Sequence, residues 1–512
     1  MLNRFWLAAA FVPALAAQIA PMDVQFAGLS ARTRQLAYQS NGGDMTPITP
    51  LMADAAGADR TRAYRSLTHA IVLMSGTSWT PDAELATALD FAIGAKLVGA
   101  GENLAAHATF LFDAPAAARP PYRMRIELLK PDGAVEAVVA PGITLGDVRG
   151  RRAGETVGLV FDPSRLVPPG LHTAHAALED GDGARLFEYY RSFWIVADLE
   201  KRAAALTKTL ELLPDQKSTA ALSARYVLET VETARRSYYG TGFQNLAGFI
   251  FTGVRGAGLG LKEPMDFDAS LVRAEQWATA LATGRDPLVS VTGDLHLAYR
   301  STFDGRLTPY RVYLPSSYQP AQRHPLLILL HGAGGDESDF LEGYAGRWPK
   351  AAEEHGYVLA SVSARGPVTG YVKANGSEQD VLDVLDLVKT RYNIDPARVY
   401  LGGHSMGGAG TWRVGLTYAD RFAGLIPIAG SGATVLPGLE AQFKSGRKLP
   451  ILMVCGVKDA LVAVAGCREV AARAKAIGAP LDYREYDAGD HLSVVPMAVP
   501  DIFAWLERAA PR

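Results

Sequence analysis

The segment from Gly403 to Gly407, which reads Gly-His-Ser-Met-Gly, restricts the fold of this chain more than any other feature. It follows a predicted strand, Arg398–Leu401, and precedes a helix that we expect to begin near Gly408. Glycines two residues either side of a serine keep Cβ atoms out of a crowded strand-to-helix turn. The first N–H groups of such a helix point towards the serine. The segment therefore predicts a sharp turn that exposes the Ser405 hydroxyl at the end of a strand.

Apolar runs alternate with helix-like stretches from about residue 300 to residue 512. Among these runs are Pro325–Leu330, Tyr357–Val362, Leu425–Ile428 and Pro450–Val454. Strands that are apolar throughout and separated by helices predict a mostly parallel sheet that is buried on both faces. Right-handed crossovers make such a sheet doubly wound. We therefore expect an α/β domain at 300–512.

The first 300 residues have a different pattern of secondary-structure signals. Residues 22–95 predict a mixed helical segment, with helical spacing around Thr61–Met74 and Pro81–Ile93. Short β-like runs separated by turn signals predict a small antiparallel β-sandwich at 96–197. Helical spacing returns at 198–286 and predicts a helical spacer.

The N-terminus has the pattern of an export signal. Arg4 precedes an apolar stretch from Phe5 to Ala17, and Ala14-Leu15-Ala16 supplies the small residues of a cleavage site. Residues 1–17 therefore predict a signal peptide and a secreted or periplasmic protein. The stretch is too short to cross a bilayer, and the longest later uncharged stretch, Ser237–Val254, is diluted by polar residues. We expect no integral membrane span.

Charge and cysteine content narrow the range of partners. The chain has 51 Lys and Arg against 53 Asp and Glu, so no basic surplus indicates nucleic acid. Cys455 and Cys467 are its two cysteines, and Cys455 lies in an apolar run typical of a buried strand. This placement favours two separate thiols over a disulfide, although secretion would permit one. Zinc-ligand spacing is absent from the sequence, and we expect no metal and no cofactor.

Asp459 and His491, which lie further along the chain than Ser405, complete a Ser…Asp…His order. Asp459 follows the run Pro450–Val454, where a carboxylate can orient an imidazole. His491 is the one histidine of 10 that follows the last strand-like run, Leu481–Tyr486. Asp490 is a rival acid, but an immediate neighbour in an extended loop usually points its side chain elsewhere. We expect Ser405, His491 and Asp459 to act as nucleophile, base and orienting acid.

The segment from His331 to Gly335 follows another apolar run and is rich in glycine. A negative tetrahedral intermediate needs donors aimed at its oxygen, and backbone N–H groups serve without reorganisation. We expect the N–H groups of Met406 and Ala333 to form this oxyanion hole, with Gly334 as the alternative to Ala333. His331 is expected to bond to backbone. A phosphate loop is the other reading, but its Lys-Ser/Thr ending is missing.

Together these motifs resemble the α/β-hydrolase superfamily, and within it the bacterial secreted carboxylesterases of the feruloyl-esterase and polyhydroxybutyrate-depolymerase type. This group is also labelled prolyl-oligopeptidase-like. The resemblance covers roughly Thr308 to Arg512 and includes the helix start from Met406 to Trp412. It implies a serine hydrolase that cleaves carboxylic esters through an acyl-enzyme. The chain lacks the β-propeller repeats of true prolyl oligopeptidases.

The loop Ser363–Gly376 is expected to shape an open cleft for a small-molecule or polymer-linked ester. Tyr371 and Trp412 are candidates for an aromatic substrate surface, and Gly334 and His404 are further candidate substrate-binding residues. Two alternatives stay open: a serine peptidase of the prolyl-oligopeptidase-like type, and a secreted binding protein with a vestigial hydrolase domain. The sequence does not indicate an oligomeric state.

Overall fold

The computed structural model describes residues 42–509 and scattered positions between 24 and 39, except 119–120, 146–147, 237–264, 290, 367–368, 433–434, 445–448 and 460. The predicted signal peptide, residues 1–17, lies outside the described residues. The chain divides into two compact units. Unit 1 runs to Ala205 and includes the described parts of Leu228–Gly260 and Pro264–Val272, and unit 2 comprises Leu206–Val227 and Arg273–Arg512. The five-part division drawn from the sequence stays a prediction.

Unit 1 contains three helices followed by two β-sheets. The helices are α1 (Thr49–Gly57), α2 (Arg60–Met74) and α3 (Pro81–Ala88). The strands are β1 (Leu89–Ile93), β2 (Leu97–Gly99), β3 (Leu104–Phe110), β4 (Arg123–Leu129), β5 (Val135–Thr144), β6 (Thr156–Phe161), β7 (Gly170–Glu179) and β8 (Arg185–Val196). One sheet has the order β1-β3-β6 and the other β2-β8-β7-β4-β5. Both sheets contribute side chains to one apolar core.

The predicted helical stretch at Pro81–Ile93 is wrong in its second half. Helix α3 ends at Ala88, and Leu89–Ile93 forms strand β1, which pairs antiparallel with β3. All five residues of β1 are buried. A short apolar run fits a buried strand as well as a buried helix, so periodicity alone could not separate them.

Three helices follow unit 1's sheets: α4 (Leu199–Glu211), α5 (Thr219–Arg236) and α6 (Phe267–Ala282). They occupy the range of the predicted helical spacer. The division between the two units falls inside each of these helices.

Unit 2 is built on an eight-stranded sheet with the order β16-β15-β14-β13-β11-β12-β10-β9. Its strands are β9 (Gly293–Arg300), β10 (Leu307–Leu314), β11 (His324–Leu330), β12 (Val358–Val362), β13 (Ile394–His404), β14 (Gly424–Ile428), β15 (Ile451–Gly456) and β16 (Leu481–Tyr486). Strands β11 to β16 are parallel, and β9 and β10 are antiparallel. The predicted doubly wound, mostly parallel sheet is confirmed.

Helices cover both faces of this sheet and bury two apolar clusters against it. They are α7 (Asp339–Glu342), α8 (Arg347–His355), α9 (Ser377–Arg391), α10 (Met406–Thr417), α11 (Leu436–Lys444), α12 (Val464–Ile477) and α13 (Val494–Ala509). Strand β12 pairs with one side of β11 and strand β13 with the other, so the chain reverses direction across the sheet here. Open α/β sheets bind ligands outside the carboxyl ends of strands at such a reversal.

The two edges of the eight-stranded sheet differ in character. At the β9 edge, the Ala298 N–H donates to the Ser223 hydroxyl of helix α5. The β16 edge carries charged side chains, namely those of Asp482, Arg484 and Glu485. A backbone group of the β9 edge is therefore bonded to a helix, whereas the β16 edge carries charged side chains.

Cys455 and Cys467 form a disulfide, so the expectation of two separate thiols is wrong. Cys455 lies on β15 and Cys467 on α12, which packs back over that strand. Both residues are buried, and their Cα atoms are 6.7 Å apart. A buried strand position does not exclude a bridge when the partner approaches from the helix layer. The bond closes a short loop that contains Asp459.

We expect the Cys455→Ala/Cys467→Ala double variant to lower the free energy of unfolding by about 2–4 kcal/mol, because a closed loop restricts the unfolded chain. Urea unfolding followed by tryptophan fluorescence measures the change. Reductant should lower the stability of the wild type and leave that of the double variant unaltered. Equal stability of the two proteins in oxidising buffer would contradict the prediction.

Candidate active site

Ser405 occupies the turn between strand β13 and helix α10, in a backbone conformation that only a crowded site maintains. Its φ is 56° and its ψ is −115°, a left-handed region that residues other than glycine seldom adopt. The Ser405 N–H donates to the Ile428 carbonyl at 2.9 Å, and the Ser405 carbonyl accepts from the Ala409 N–H at 3.0 Å. The turn is thereby joined to β14 on one side and to α10 on the other.

Glycines surround this turn because backbone passes too close for a side chain. A Cβ at position 407 would collide with the Leu330 carbonyl oxygen at the end of β11. A Cβ at position 403 would lie 2.5 Å from the Gly407 carbonyl oxygen, and one at position 430 would lie 2.5 Å from that of Ser405. Real Cβ atoms do not approach that closely, so these positions require glycine.

His491 joins Ser405 to Asp459 through both nitrogens of its ring. Its Nε2 lies 2.9 Å from the Ser405 Oγ, and its Nδ1 lies 2.8 Å from the Asp459 Oδ2. A carboxylate accepts hydrogen bonds, so Nδ1 carries the proton and Nε2 presents its lone pair to the serine hydroxyl. The structure therefore brings together the three side chains that the sequence selected.

The carboxylate of Asp459 is held by its own loop. Its Oδ1 accepts from the N–H groups of Leu461 and Val462, both at 2.8 Å. Its Oδ2 is thereby directed at His491, and the Cys455–Cys467 disulfide closes the same loop. Backbone and covalent contacts together fix the orientation of the acid.

The neighbouring carboxylate of Asp490 has a different role. Its Oδ1 accepts from the N–H groups of Leu492 and Ser493, at 3.0 and 2.7 Å. It also accepts from the Ser493 hydroxyl at 2.7 Å. These bonds shape the chain just before helix α13.

The loop from His331 to Gly335 passes beside the serine. A Cβ at position 332 would lie 3.4 Å from the Ser405 Cβ. Gly334 has a φ of 90°, which glycine adopts without strain. Met406 is the first residue of α10, and the first N–H groups of a helix lack partners within it. Ala333 and Met406 stay the predicted oxyanion donors.

His331 itself is buried beneath this loop. Its Nδ1 lies 2.8 Å from the Gly332 carbonyl oxygen, and its Nε2 lies 3.0 Å from that of Ser363. These are the backbone contacts expected from the sequence. They tie the loop after β11 to the loop after β12.

Tyr371 and Trp412 do not present an aromatic surface, so that expectation is wrong. Both are fully buried. The Tyr371 hydroxyl donates to the His331 carbonyl at 3.2 Å, and the Trp412 Nε1 donates to the Ser431 hydroxyl at 2.7 Å. Each ring packs under the site and supports a loop that borders it.

His404 is also buried, and its assignment to substrate binding is wrong. Its Nε2 lies 2.7 Å from the His491 carbonyl oxygen, and its Nδ1 lies 3.2 Å from the Tyr344 hydroxyl. Burial, together with the neighbouring His491, lowers the pKa of His404 to about 3. The ring is therefore neutral at ordinary pH and faces protein groups.

A buried arginine supports the loop Ser363–Gly376, and sequence reasoning missed it. The Arg365 guanidinium pairs with Asp380 at 3.1 Å and with Asp304 at 2.5 Å, and it lies over the Phe303 ring. Arg365 has a φ of 64°. A positive φ at an arginine leaves no mark in a single sequence, and no motif contains these residues.

In the described part of the chain, no group of three or more His, Cys, Asp or Glu side chains is arranged to hold a metal ion. Among the described helices, none is both long enough and apolar enough to cross a membrane.

Comparisons with known proteins agree with the resemblance drawn from the sequence. Residues 301–491 match the Esterase family model, described as "Putative esterase". That range contains Ser405, Asp459 and His491. The resemblance of this segment to esterases is thereby confirmed.

Two curated proteins are similar over parts of the same region. A bifunctional acetylxylan esterase/xylanase from Neocallimastix patriciarum is 32% identical over 149 residues, which are 29% of this chain and 21% of that protein. A poly(3-hydroxybutyrate) depolymerase from Ralstonia pickettii is 34% identical over 139 residues, which are 24% of this chain and 28% of that protein. The chain thus spans less than a third of the length of either relative.

Among solved structures, the Staphylococcus aureus fluorophosphonate-binding serine hydrolase FphF is similar with a TM-score of 0.38 and 21% identity. The similarity covers 42% of this chain and 98% of that one.

Proposed function

We propose that this protein is a carboxylic ester hydrolase that works through an acyl-enzyme. The observation that carries the proposal is the pair of hydrogen bonds by which His491 joins Ser405 to Asp459. The Ser405 Oγ attacks the ester carbonyl carbon while its proton passes to the His491 Nε2. The same proton then goes to the leaving alkoxide, and the alcohol departs. Water repeats the sequence on the acyl-enzyme and releases the acid.

The developing oxyanion needs donors that are in place before the reaction. The N–H groups of Met406 and Ala333, or of Gly334 in place of Ala333, are the proposed donors. Each such donor contributes about 3–4 kcal/mol to lowering the barrier in comparable sites. The close approach of Gly332 to Ser405 supports this assignment, because it brings the loop alongside the nucleophile.

The proposed substrate is a small-molecule or polymer-linked ester. The support comes from the matched relatives, whose names refer to acetylxylan and poly(3-hydroxybutyrate). Because Tyr371 and Trp412 are buried, other groups must contact the acyl or alcohol portion. Assays on acetyl, feruloyl and hydroxybutyrate esters, with a prolyl-peptide amide alongside, test the class of bond and of acid.

We expect Ser405→Ala to lower kcat for p-nitrophenyl acetate by about four to six orders of magnitude, because the nucleophile is lost. Far-UV circular dichroism and the unfolding midpoint should match those of the wild type. A fluorophosphonate probe should label the wild type and not the variant. Retained turnover in a folded Ser405→Ala protein would refute the proposed function.

Asp459→Asn and Asp490→Asn make a matched pair of adjacent-loop carboxylate changes. We expect Asp459→Asn to lower kcat about 10⁴-fold, because an amide facing Nδ1 favours the wrong imidazole tautomer. The Asp490 carboxylate contacts Leu492 and Ser493 and not the His491 ring. Its variant should therefore keep kcat within about tenfold of the wild type, since the bonds that it loses shape the loop and the His491–Asp459 hydrogen bond stays in place. Steady-state kinetics on one ester measure kcat for both variants. A larger loss of kcat in Asp490→Asn than in Asp459→Asn would make Asp490 the orienting acid.

We also propose export from the cytoplasm and removal of the signal peptide predicted at residues 1–17, with cleavage on either side of Ala17. The Cys455–Cys467 disulfide supports this, because such bonds persist in oxidising compartments. Intact mass of the protein recovered from the periplasm or medium should correspond to a chain that begins at or beside Ala17. An Ala16→Arg variant, which places a large charged residue at the cleavage site, should keep the full-length mass. Full-length wild type confined to the cytoplasm would contradict the proposal.

A further inference from the structure

His404 lies between the base of the proposed reaction and a tyrosine outside the catalytic set. Its ring centroid is 4.8 Å from that of His491, and its Nε2 lies 2.7 Å from the His491 carbonyl oxygen. On its other side, Nδ1 lies 3.2 Å from the Tyr344 hydroxyl. His404 thus contacts the backbone of the very residue whose side chain must reach Ser405.

Donor and acceptor rules fix the protons in this chain of contacts. A carbonyl oxygen only accepts, so the His404 Nε2 must carry the ring proton. Nδ1 is then an acceptor, and Tyr344 is the donor. Burial raises the pKa of Tyr344 well above its ordinary value, so its hydroxyl keeps its proton. Tyr344 therefore selects the imidazole tautomer that can bind the His491 carbonyl.

Neutrality of His404 is necessary for this arrangement. When His491 accepts the serine proton, a second cation at 4.8 Å would oppose that charge. Burial keeps the pKa of His404 at about 3. The groups that face its ring are the Tyr344 hydroxyl, the His491 ring and carbonyl, and the backbone at Gly332.

The backbone around Tyr344 is strained, which indicates that its position matters. Tyr344, Ala345 and Gly346 have φ values of 52°, 56° and 65°. Two consecutive residues other than glycine in the left-handed region cost energy and persist only where surrounding contacts over-determine them. The Tyr344 ring packs on Phe340 and edge-on against His404. These contacts aim the hydroxyl at the His404 Nδ1.

We propose that Tyr344 and His404 are positioning residues, which hold the main chain at His491 so that its imidazole meets the Ser405 hydroxyl. This rests on the proposed function of the Ser405, His491 and Asp459 set. In this proposal both residues act through the placement of the base. A base displaced by about 1 Å can lose about 10²-fold in rate, so a contact to its carbonyl has a measurable effect.

Tyr344→Phe removes the hydroxyl and keeps the ring. We expect kcat for p-nitrophenyl acetate to fall roughly tenfold with KM within about twofold, since alignment is lost and binding is kept. His404→Leu, which removes the Nε2 donor, should lose roughly 100-fold. His404→Gln can again offer an N–H to the carbonyl and should recover part of that loss. Tyr313→Phe is the matched control, because its hydroxyl donates to Glu353, away from the site.

A second readout needs no substrate. The low-field proton resonance of the His491 Nδ1–H reports its bond to Asp459, and Asp459→Asn identifies the signal by removing it. We expect a sharp signal in the wild type and Tyr313→Phe, and a shifted or broadened one in Tyr344→Phe and His404→Leu. If the protein hydrolyses no ester, the proposed function fails while this resonance still tests the placement of His491.

The outcome that overturns the positioning role is equally specific. The positioning role would be overturned if Tyr344→Phe and Tyr313→Phe had the same kcat and the same His491 Nδ1–H resonance. Loss of kcat in strict proportion to a lowered unfolding midpoint would also overturn it, because the pair would then serve stability alone. Failure of His404→Gln to exceed His404→Leu in activity would remove the role assigned to the Nε2 donor.

Discussion

Three strand ends meet so closely in unit 2 that their backbones exclude side chains, and the candidate site depends on this constraint. The end of β11 contacts Gly407, and the chain after β14 reaches Ser405 at Gly430. With no room for Cβ atoms on either side, β13 can leave the sheet only through a tight left-handed turn. That turn lifts the Ser405 hydroxyl clear of the sheet and directs the first N–H groups of α10 at the same point.

Around this turn, buried side chains hold the loops in place. His331 ties the loops after β11 and β12 together, Tyr371 bonds to the His331 carbonyl, and the disulfide closes the loop of Asp459. Arg365 holds the loop after β12 in place by pairing with the carboxylates of Asp304 and Asp380. Precise placement of reacting groups requires neighbours with fixed rotamers of their own. The candidate site is therefore surrounded by buried contacts that hold its loops in place.

The sequence predicted which three side chains meet at the candidate site, and it predicted the contacts around them less well. Ser405, Asp459 and His491 could be chosen because each follows a strand-like run, and parallel strands end at one edge of the sheet. His404 lies within the serine motif and Trp412 on the helix that follows it, but a position along the chain does not say which way a ring points. The disulfide was missed because the burial of Cys455 in a strand does not reveal that the helix packed over that strand carries Cys467. Likewise, Leu89–Ile93 became a strand through pairing with β3, a partner that helical spacing cannot reveal.

The contrasting edges of the unit 2 sheet affect how copies of this protein meet at high concentration. An unpaired edge strand is a template on which another chain can add a strand. On β9, part of that template is occupied, since the Ala298 N–H is bonded to Ser223. On β16, an incoming strand would have to strip water from Asp482 and Arg484, which are exposed. One edge is thus partly covered by a helix and the other by hydrated charges, so a neutral residue in place of Arg484 would favour strand addition between copies of the chain.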